Sequence, residues 1–151
     1  MNEKLLQFIW QFRYFNQSSL CTTDGKPLQI IHPGNLNRNE GPDFSEAKIK
    51  INNTIWVGNI ELHIHASDWR QHKHASDKNY DNIILHVVWI HDEDIYDKNL
   101  QPIPALELQS LVPKITLQRF EHLMQTADEI PCAFALPVLN EVSWLSWKER
   151  L

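Results

Sequence analysis

Cysteine is scarce in this sequence: only Cys21 and Cys132 occur among 151 residues. Two cysteines so far apart form no paired metal or redox motif, and a disulfide between them is the minor alternative. The simplest interpretation is two free thiols in a reducing compartment. An apolar core must then supply the stability, and six Trp and six Phe provide much of its area.

Long apolar runs are also missing. No stretch of about 18 uninterrupted apolar residues occurs, so no membrane span is predicted. The N-terminal segment carries Glu3 and lacks the basic flank and small-residue cleavage site of a signal peptide. We therefore expect a cytoplasmic protein without membrane association.

Basic residues are outnumbered, with 14 Lys and Arg against 19 Asp and Glu and a net charge of −5. This balance argues against a protein that coats nucleic acid through a broad basic surface. It does not exclude a nuclease, because a metal site is itself built of carboxylates. Nucleic acid stays a candidate partner, with Lys48 and Lys50 as candidate phosphate contacts unless they are merely solvated. The remainder of a longer chain is the other candidate partner, and the oligomeric state is open.

Hydrophobic periodicity predicts an α/β (α+β) fold. A short helix or helical loop is expected from Ser67 or Asp68 toward Tyr80. The order of elements predicts a mixed central β-sheet of about four to five strands, flanked by helices on both faces. The expected helices cover 3–15 and 113–127, and the expected strands cover 27–31, 47–51, 55–65, 83–90 and 103–108.

A single domain is expected over residues 1–151, with its core at about 3–127 and a C-terminal helix from about 140. Asn140 would cap that helix, and no Gly, Asn or Pro ends it before Leu151. We therefore interpret the sequence as an N-terminal fragment of a longer protein.

The strand expected over 55–65 carries the residues best suited to chemistry. Side chains alternate along a strand, so Asn59, Glu61, His63 and His65 share one face, while apolar residues take the other. If that face met water, it would be an ordinary solvated strand. Trp56 and the apolar neighbouring strand favour a covered face instead, and a covered glutamate needs a partner or a metal.

Asp43 is the expected partner of that glutamate. A two-residue turn at Asn52–Asn53 would place Asp43 opposite Leu62, on the wrong side of the sheet. A three-residue turn or a β-bulge would bring it to the side of Glu61 and His63. The site hypothesis therefore requires a strand register that places Asp43 and Glu61 on the same side of the sheet.

A second polar cluster follows this strand. His72 and His74 are two residues apart and share no helix face, which disfavours a helical zinc pair. In an extended loop both could bind zinc together with His63 or His65, and a plain solvated loop is the alternative. His86 is expected to be a hydrogen-bonded core histidine rather than a ligand.

Pro42-Asp43, seventeen intervening residues and Glu61-Leu62-His63 resemble the PD-(D/E)XK nuclease signature, with His63 in place of the usual lysine. The order of one helix, three strands, a helix and a further strand is also similar to the restriction-endonuclease-like core of that family. By this resemblance Asp43 and Glu61 would bind Mg²⁺ or Mn²⁺, and His63 would orient the attacking water as the third catalytic residue. The substrate-contacting residues would be His65, His72, His74 and Tyr80.

The segments GPDF, GNIELHIHASDWRQHKH and DKNYDNIILHVVW, in that order, resemble an uncharacterised bacterial family, domain-of-unknown-function family 2851. Members of this family are typically much longer than this chain, and the family implies no activity. Three functions stay open. The first is a metal-dependent nuclease-like domain, active or degenerate, that hydrolyses phosphodiester bonds. The others are a non-enzymatic protein-interaction module and a zinc-binding hydrolase-like domain.

Overall fold

The computed structural model describes residues 1–72 and 77–125 together with Leu145. The chain divides into two units, Met1–Pro113 and Lys114–Leu151. The second unit is described for one helix and for Leu145. Cys132 and the rest of the helix that the sequence predicts from about 140 lie outside the described residues.

Asn2 starts the first helix, α1, which covers Glu3–Phe12. Its side chain accepts a hydrogen bond of 2.9 Å from the backbone N–H of Leu5, one of the donors that the start of a helix leaves without a helical partner. Arg13 ends the helix by adopting a left-handed conformation with a φ of 56°. The helix is therefore shorter than the apolar pattern over 3–15 predicts.

The five expected strands occur in the predicted order with ends that differ by a few residues, whereas one further two-residue strand at 35–36 was not expected and the helix expected toward Tyr80 ends at Gln71. The strands are β1 (Leu28–His32), β2 (Asn35–Leu36), β3 (Phe44–Ile51), β4 (Thr54–His65), β5 (Ile83–Ile90) and β6 (Ala105–Glu107). The helices are α2 (Asp68–Gln71) and α3 (Lys114–Gln125), and a 3₁₀ turn covers Lys78–Tyr80.

These strands form one mixed sheet in the order β1-β3-β4-β5-β6, and β2 also pairs with β3. The first three strands of this order pair antiparallel, whereas β5 joins β4 and β6 joins β5 in parallel. A parallel return needs a crossover connection, and α2 with the 3₁₀ turn lies in that crossover. The predicted mixed α+β fold is therefore confirmed, with six strands where about four to five were expected.

The core is made by the apolar sides of the central strands, by α1 and by the crossover. The fully buried residues of α1 are Leu6, Ile9 and Trp10. Phe8 and Phe12 fit the same helical periodicity, but their side chains are 48% and 53% exposed, so the buried face of the helix is narrower than its sequence indicates. In the crossover, Trp69 packs with Ala66, Val88 and Ile95.

Within the described ranges, no helix combines the length and the apolar character that crossing a membrane requires.

Candidate functional site

The turn between β3 and β4 sets the first part of the hairpin register. It contains two residues, Asn52–Asn53, so Ile51 pairs with Thr54. The φ of Asn52 is 52°, a left-handed conformation that asparagine adopts more readily than most residues. Continued without a shift, this register would place Asp43 opposite Leu62, on the wrong side of the sheet. The turn alone therefore does not build the site.

A β-bulge in β3 brings Asp43 back to the side of the sheet that the site needs. The pairing with β4 shifts by one residue between Phe44 and Ala47. Glu46 lies within this step and has a φ of 57°, as the extra residue of a bulge often does. Asp43 consequently returns to the side of the sheet that holds Glu61. The sequence allowed a bulge as an alternative to a longer turn, and the structure contains the bulge.

Both carboxylates are held by hydrogen bonds at this edge of the hairpin. The backbone N–H of Asp43 donates to Glu61 Oε2 at 3.0 Å, and the backbone N–H of Leu62 donates to Asp43 Oδ2 at 2.9 Å. Gln7 of α1 donates through Nε2 to Asp43 Oδ1 at 2.7 Å. Two strands and the first helix thus fix the orientation of the pair.

Burial and mutual repulsion make the pair hard to ionise. Glu61 is 6% exposed, and its burial, followed by the charge of Asp43, raises its pKa to about 9. Burial also raises the pKa of Asp43, although the hydrogen bonds from Leu62 and Gln7 act in the opposite direction. The charge of Glu3 contributes to both upward shifts. At neutral pH Glu61 therefore keeps its proton unless a bound cation replaces that proton.

Three histidine rings form a row that leads from this pair to the surface. Nδ1 of His63 lies 2.8 Å from Nε2 of His86, and Nε2 of His63 lies 3.1 Å from Nδ1 of His72. His63 and His86 are buried, whereas His72 is exposed. Each contact needs one donor and one acceptor, so the tautomers of the three rings are linked. Because Nε2 of His63 is also 3.7 Å from Glu61 Oε1, the row reaches the carboxylates.

His65 and Tyr80, two further predicted site residues, lie near α2 and the 3₁₀ turn of the crossover. The side chain of His65 is 46% exposed, and its ring lies 3.8 Å from Asp68 at the start of α2. The ring of Tyr80 packs edge-on against Trp69, with 5.9 Å between centroids. Burial raises the pKa of Tyr80, and the charges of Glu61 and Asp43 add to that shift. Tyr80 is therefore within electrostatic reach of the pair.

His74 lies outside the described residues, so the predicted zinc arrangement of four histidines is visible only for His63, His65 and His72. In residues 1–72 and 77–125, no group of three or more His, Cys, Asp and Glu side chains is arranged to hold a metal ion. Asp43 and Glu61 nevertheless offer carboxylate oxygens, and Mg²⁺ is commonly held by one or two carboxylates while it keeps several waters. The donor chemistry of the pair therefore fits Mg²⁺ or Mn²⁺.

The comparison with known families covers nearly the whole chain. Residues 3–151 match the family described as "Protein of unknown function (DUF2851)". The chain belongs to the DUF2851 family. No curated protein and no solved structure matches it. For this DUF2851 chain, a functional assignment must therefore be argued from the geometry of the site.

Some residues at the site of this DUF2851 chain were not predicted as site residues. Glu3 and Gln7 of α1 act on the carboxylates, and their spacing of four places both on one side of a helix. That spacing could have indicated that both residues face the site. His86 was expected to be a core histidine hydrogen-bonded to some partner, and the structure identifies that partner as the ring of His63. No local pattern in the sequence predicts the register in which those two strands pair.

Proposed function

We propose that this DUF2851 chain carries a metal-dependent phosphodiester hydrolase site, nuclease-like in its chemistry, with Asp43 and Glu61 as the metal-binding residues. The observation that carries the proposal is the meeting of these two acids, one from each arm of the hairpin, next to His63. Burying two carboxylates side by side is unfavourable unless protons or a cation neutralise them. Buried acids with raised pKa values are typical of functional sites.

The topology supports the same proposal. With the two-residue strand β2 set aside, the order of α1, the antiparallel strands β1, β3 and β4, the helix α2 and the parallel strand β5 is the one expected for a restriction-endonuclease-like core. In that arrangement the two acids lie on neighbouring strands, and the residue that follows Glu61 by two positions shares its face. His63 occupies that position here.

A bound Mg²⁺ or Mn²⁺ would polarise the phosphodiester and lower the pKa of an attacking water. The protein's part is to hold that ion through Asp43 and Glu61 and to receive the proton of the water. We assign that role to Nε2 of His63, 3.7 Å from Glu61 Oε1, in the tautomer in which this nitrogen carries no proton. His72 borders His63 on the exposed side, and with Tyr80 it is a candidate contact for the substrate phosphate. His65 and His74 are kept as further candidate contacts.

The test is cleavage of DNA and RNA by the purified protein with Mn²⁺ or Mg²⁺, alongside calorimetric titration of each metal. We expect Asp43→Asn and Glu61→Gln to abolish both metal binding and cleavage, because each removes one carboxylate ligand. Glu40→Gln changes the same charge at an exposed position and serves as the matched control. Metal binding without cleavage would identify a degenerate nuclease. Failure to bind either metal would contradict the proposal.

A protein-interaction module is a second candidate, favoured by one observation on α1. Phe8, Phe12 and Tyr14 form an aromatic cluster with ring centroids 4.9 to 6.1 Å apart. Each side chain is about half exposed, and clustered exposed aromatic rings are enriched at protein interfaces. Replacing Phe8 and Phe12 by serine should then reduce association measured by light scattering or calorimetry, while metal binding at Asp43 stays unchanged.

A further inference from the structure

The outer half of the hairpin presents a second surface, which we call the hairpin face. Directly opposite residues in antiparallel strands share one side of a sheet. One row across three strands is His32, Lys48 and Val57, and the next is Gln29, Lys50 and Ile55. The hairpin face is defined by these six residues.

The hairpin face continues the side of the sheet on which the carboxylate pair lies. β4 alternates without interruption from Ile55 to His63, so Ile55, Val57 and Glu61 project to the same side. At about 3.3 Å per residue, Val57 is about 13 Å and Ile55 about 20 Å from Glu61 along the strand. A linear molecule that reached the acids along this side of β4 would pass over the hairpin face.

The charge of the hairpin face is opposite to that of the chain as a whole. The chain has a net charge of −5, yet Glu46 is the one acid within β1, β3 and the outer half of β4. The side chain of Glu46 accepts a hydrogen bond of 2.9 Å from Asn35. Neither Lys48 nor Lys50 forms an ion pair within the described part of the chain. The side chain of Lys48 is exposed and that of Lys50 is half-buried.

Apolar side chains are exposed between and beside these lysines. Ile55 is 54% exposed and Val57 62%, and each lies directly opposite one of the two lysines. Lysines that served only to keep the surface solvated would not require exposed apolar side chains beside them. Cationic groups interleaved with apolar ones match a nucleic acid strand, whose phosphates are anionic and whose sugars and bases offer apolar surface.

We propose that the hairpin face binds the backbone of a nucleic acid strand and guides it toward Asp43 and Glu61. Lys48 and Lys50 contact phosphates, and Ile55 and Val57 contact sugar or base. The role as a guide rests on the proposed phosphodiester hydrolase function, whereas the binding itself can be measured without it.

The experiment measures binding of short single-stranded and duplex oligonucleotides, DNA and RNA, in EDTA over a range of salt concentrations. The variant is Lys48→Gln with Lys50→Gln. The matched control is Lys26→Gln with Lys98→Gln, two lysines that are each 52% exposed and paired with acids elsewhere in the fold. We expect the hairpin variant to lose roughly tenfold in affinity at low salt and about 1.4 to 1.8 in the slope of log K against log salt. Val57→Ser should lower affinity without changing the slope.

The outcomes separate this proposal from the hydrolase proposal. A slope that falls equally in both lysine variants, or in neither, overturns the hairpin face as a binding surface. A loss of slope confined to the Lys48 and Lys50 variant, in a protein that cleaves nothing with Mn²⁺, supports the hairpin face and removes the hydrolase. Cleavage and binding that both survive the loss of Lys48 and Lys50 support the hydrolase and overturn the hairpin face.

Discussion

Replacing Glu61 by glutamine tests the electrostatics on which the candidate site depends. The folded chain holds the Glu61 proton up to a pH of about 9, whereas an ordinary glutamate releases it near 4.5. Between these values the folded state binds more protons than the unfolded state, so the free energy of unfolding falls as the pH rises. Glutamine is a neutral side chain of the same shape, and its oxygen can still accept the hydrogen bond from Asp43. The variant should lack this part of the pH dependence.

The expected size is large compared with the stability of a small domain. One group contributes about 1.4 kcal/mol per pH unit within its titration interval. Glu61 should therefore lower the free energy of unfolding of the wild type by roughly 3 kcal/mol at pH 7 relative to the glutamine variant. Ordinary domains have only about 5 to 15 kcal/mol in total. Glu61→Gln should accordingly be more stable than the wild type at neutral pH, and the difference should widen toward pH 8.

Denaturant unfolding followed by tryptophan fluorescence, at intervals from about pH 5 to pH 8, measures this difference directly. Glu40→Gln is the control and should follow the wild-type curve. Saturating Mn²⁺ should stabilise the wild type by about 2.7 kcal/mol when its concentration is a hundred times the dissociation constant, and it should have little effect on Glu61→Gln. Parallel stability curves for wild type and variant across this pH range would refute the assignment of a buried, protonated Glu61.

Two further predictions concern packing around the site. Gly58→Ala should destabilise the fold by about 1 to 3 kcal/mol, because a Cβ there would lie 2.6 Å from both the Asn82 backbone oxygen and Ile84 Cγ2, and unchanged stability in denaturant melts would show that the strands can separate. His86→Phe keeps a flat aromatic ring, somewhat larger than imidazole, and removes the hydrogen bond to His63, so we expect a loss of about 1 to 3 kcal/mol in thermal or denaturant unfolding. A melting temperature equal to that of the wild type would indicate that the two rings do not bond.

The sequence predicted most of the sheet because its signals are local. Alternation over 55–65 and the doubly apolar run over 83–90 reflect what one strand meets on its two faces, and β4 and β5 lie where these patterns indicate. The burial of Glu61 and His63 follows from the same patterns. The exposure of the outer half of β4 does not follow from them, because Trp56 predicts a covered strand and its side chain is 43% exposed.

Long-range geometry was harder to predict. The position of the bulge depends on how Glu46 adopts a left-handed conformation, and glutamate carries no strong signal for one. The contact of His86 with His63 depends on the parallel register of two strands separated by the crossover, which no local pattern encodes.

The extra residue in β3 makes the fold and the chemistry separable. Deleting either Ser45 or Glu46 would leave the turn, the inward-facing residues nearer the turn and the pairing there as they are, but it would send Asp43 to the far side. A family member one residue shorter at this step could thus keep its shape while losing the acid pair. Chain length between Asp43 and Ala47 is therefore a simple marker for sorting DUF2851 sequences into those that keep the acid pair and those that lose it.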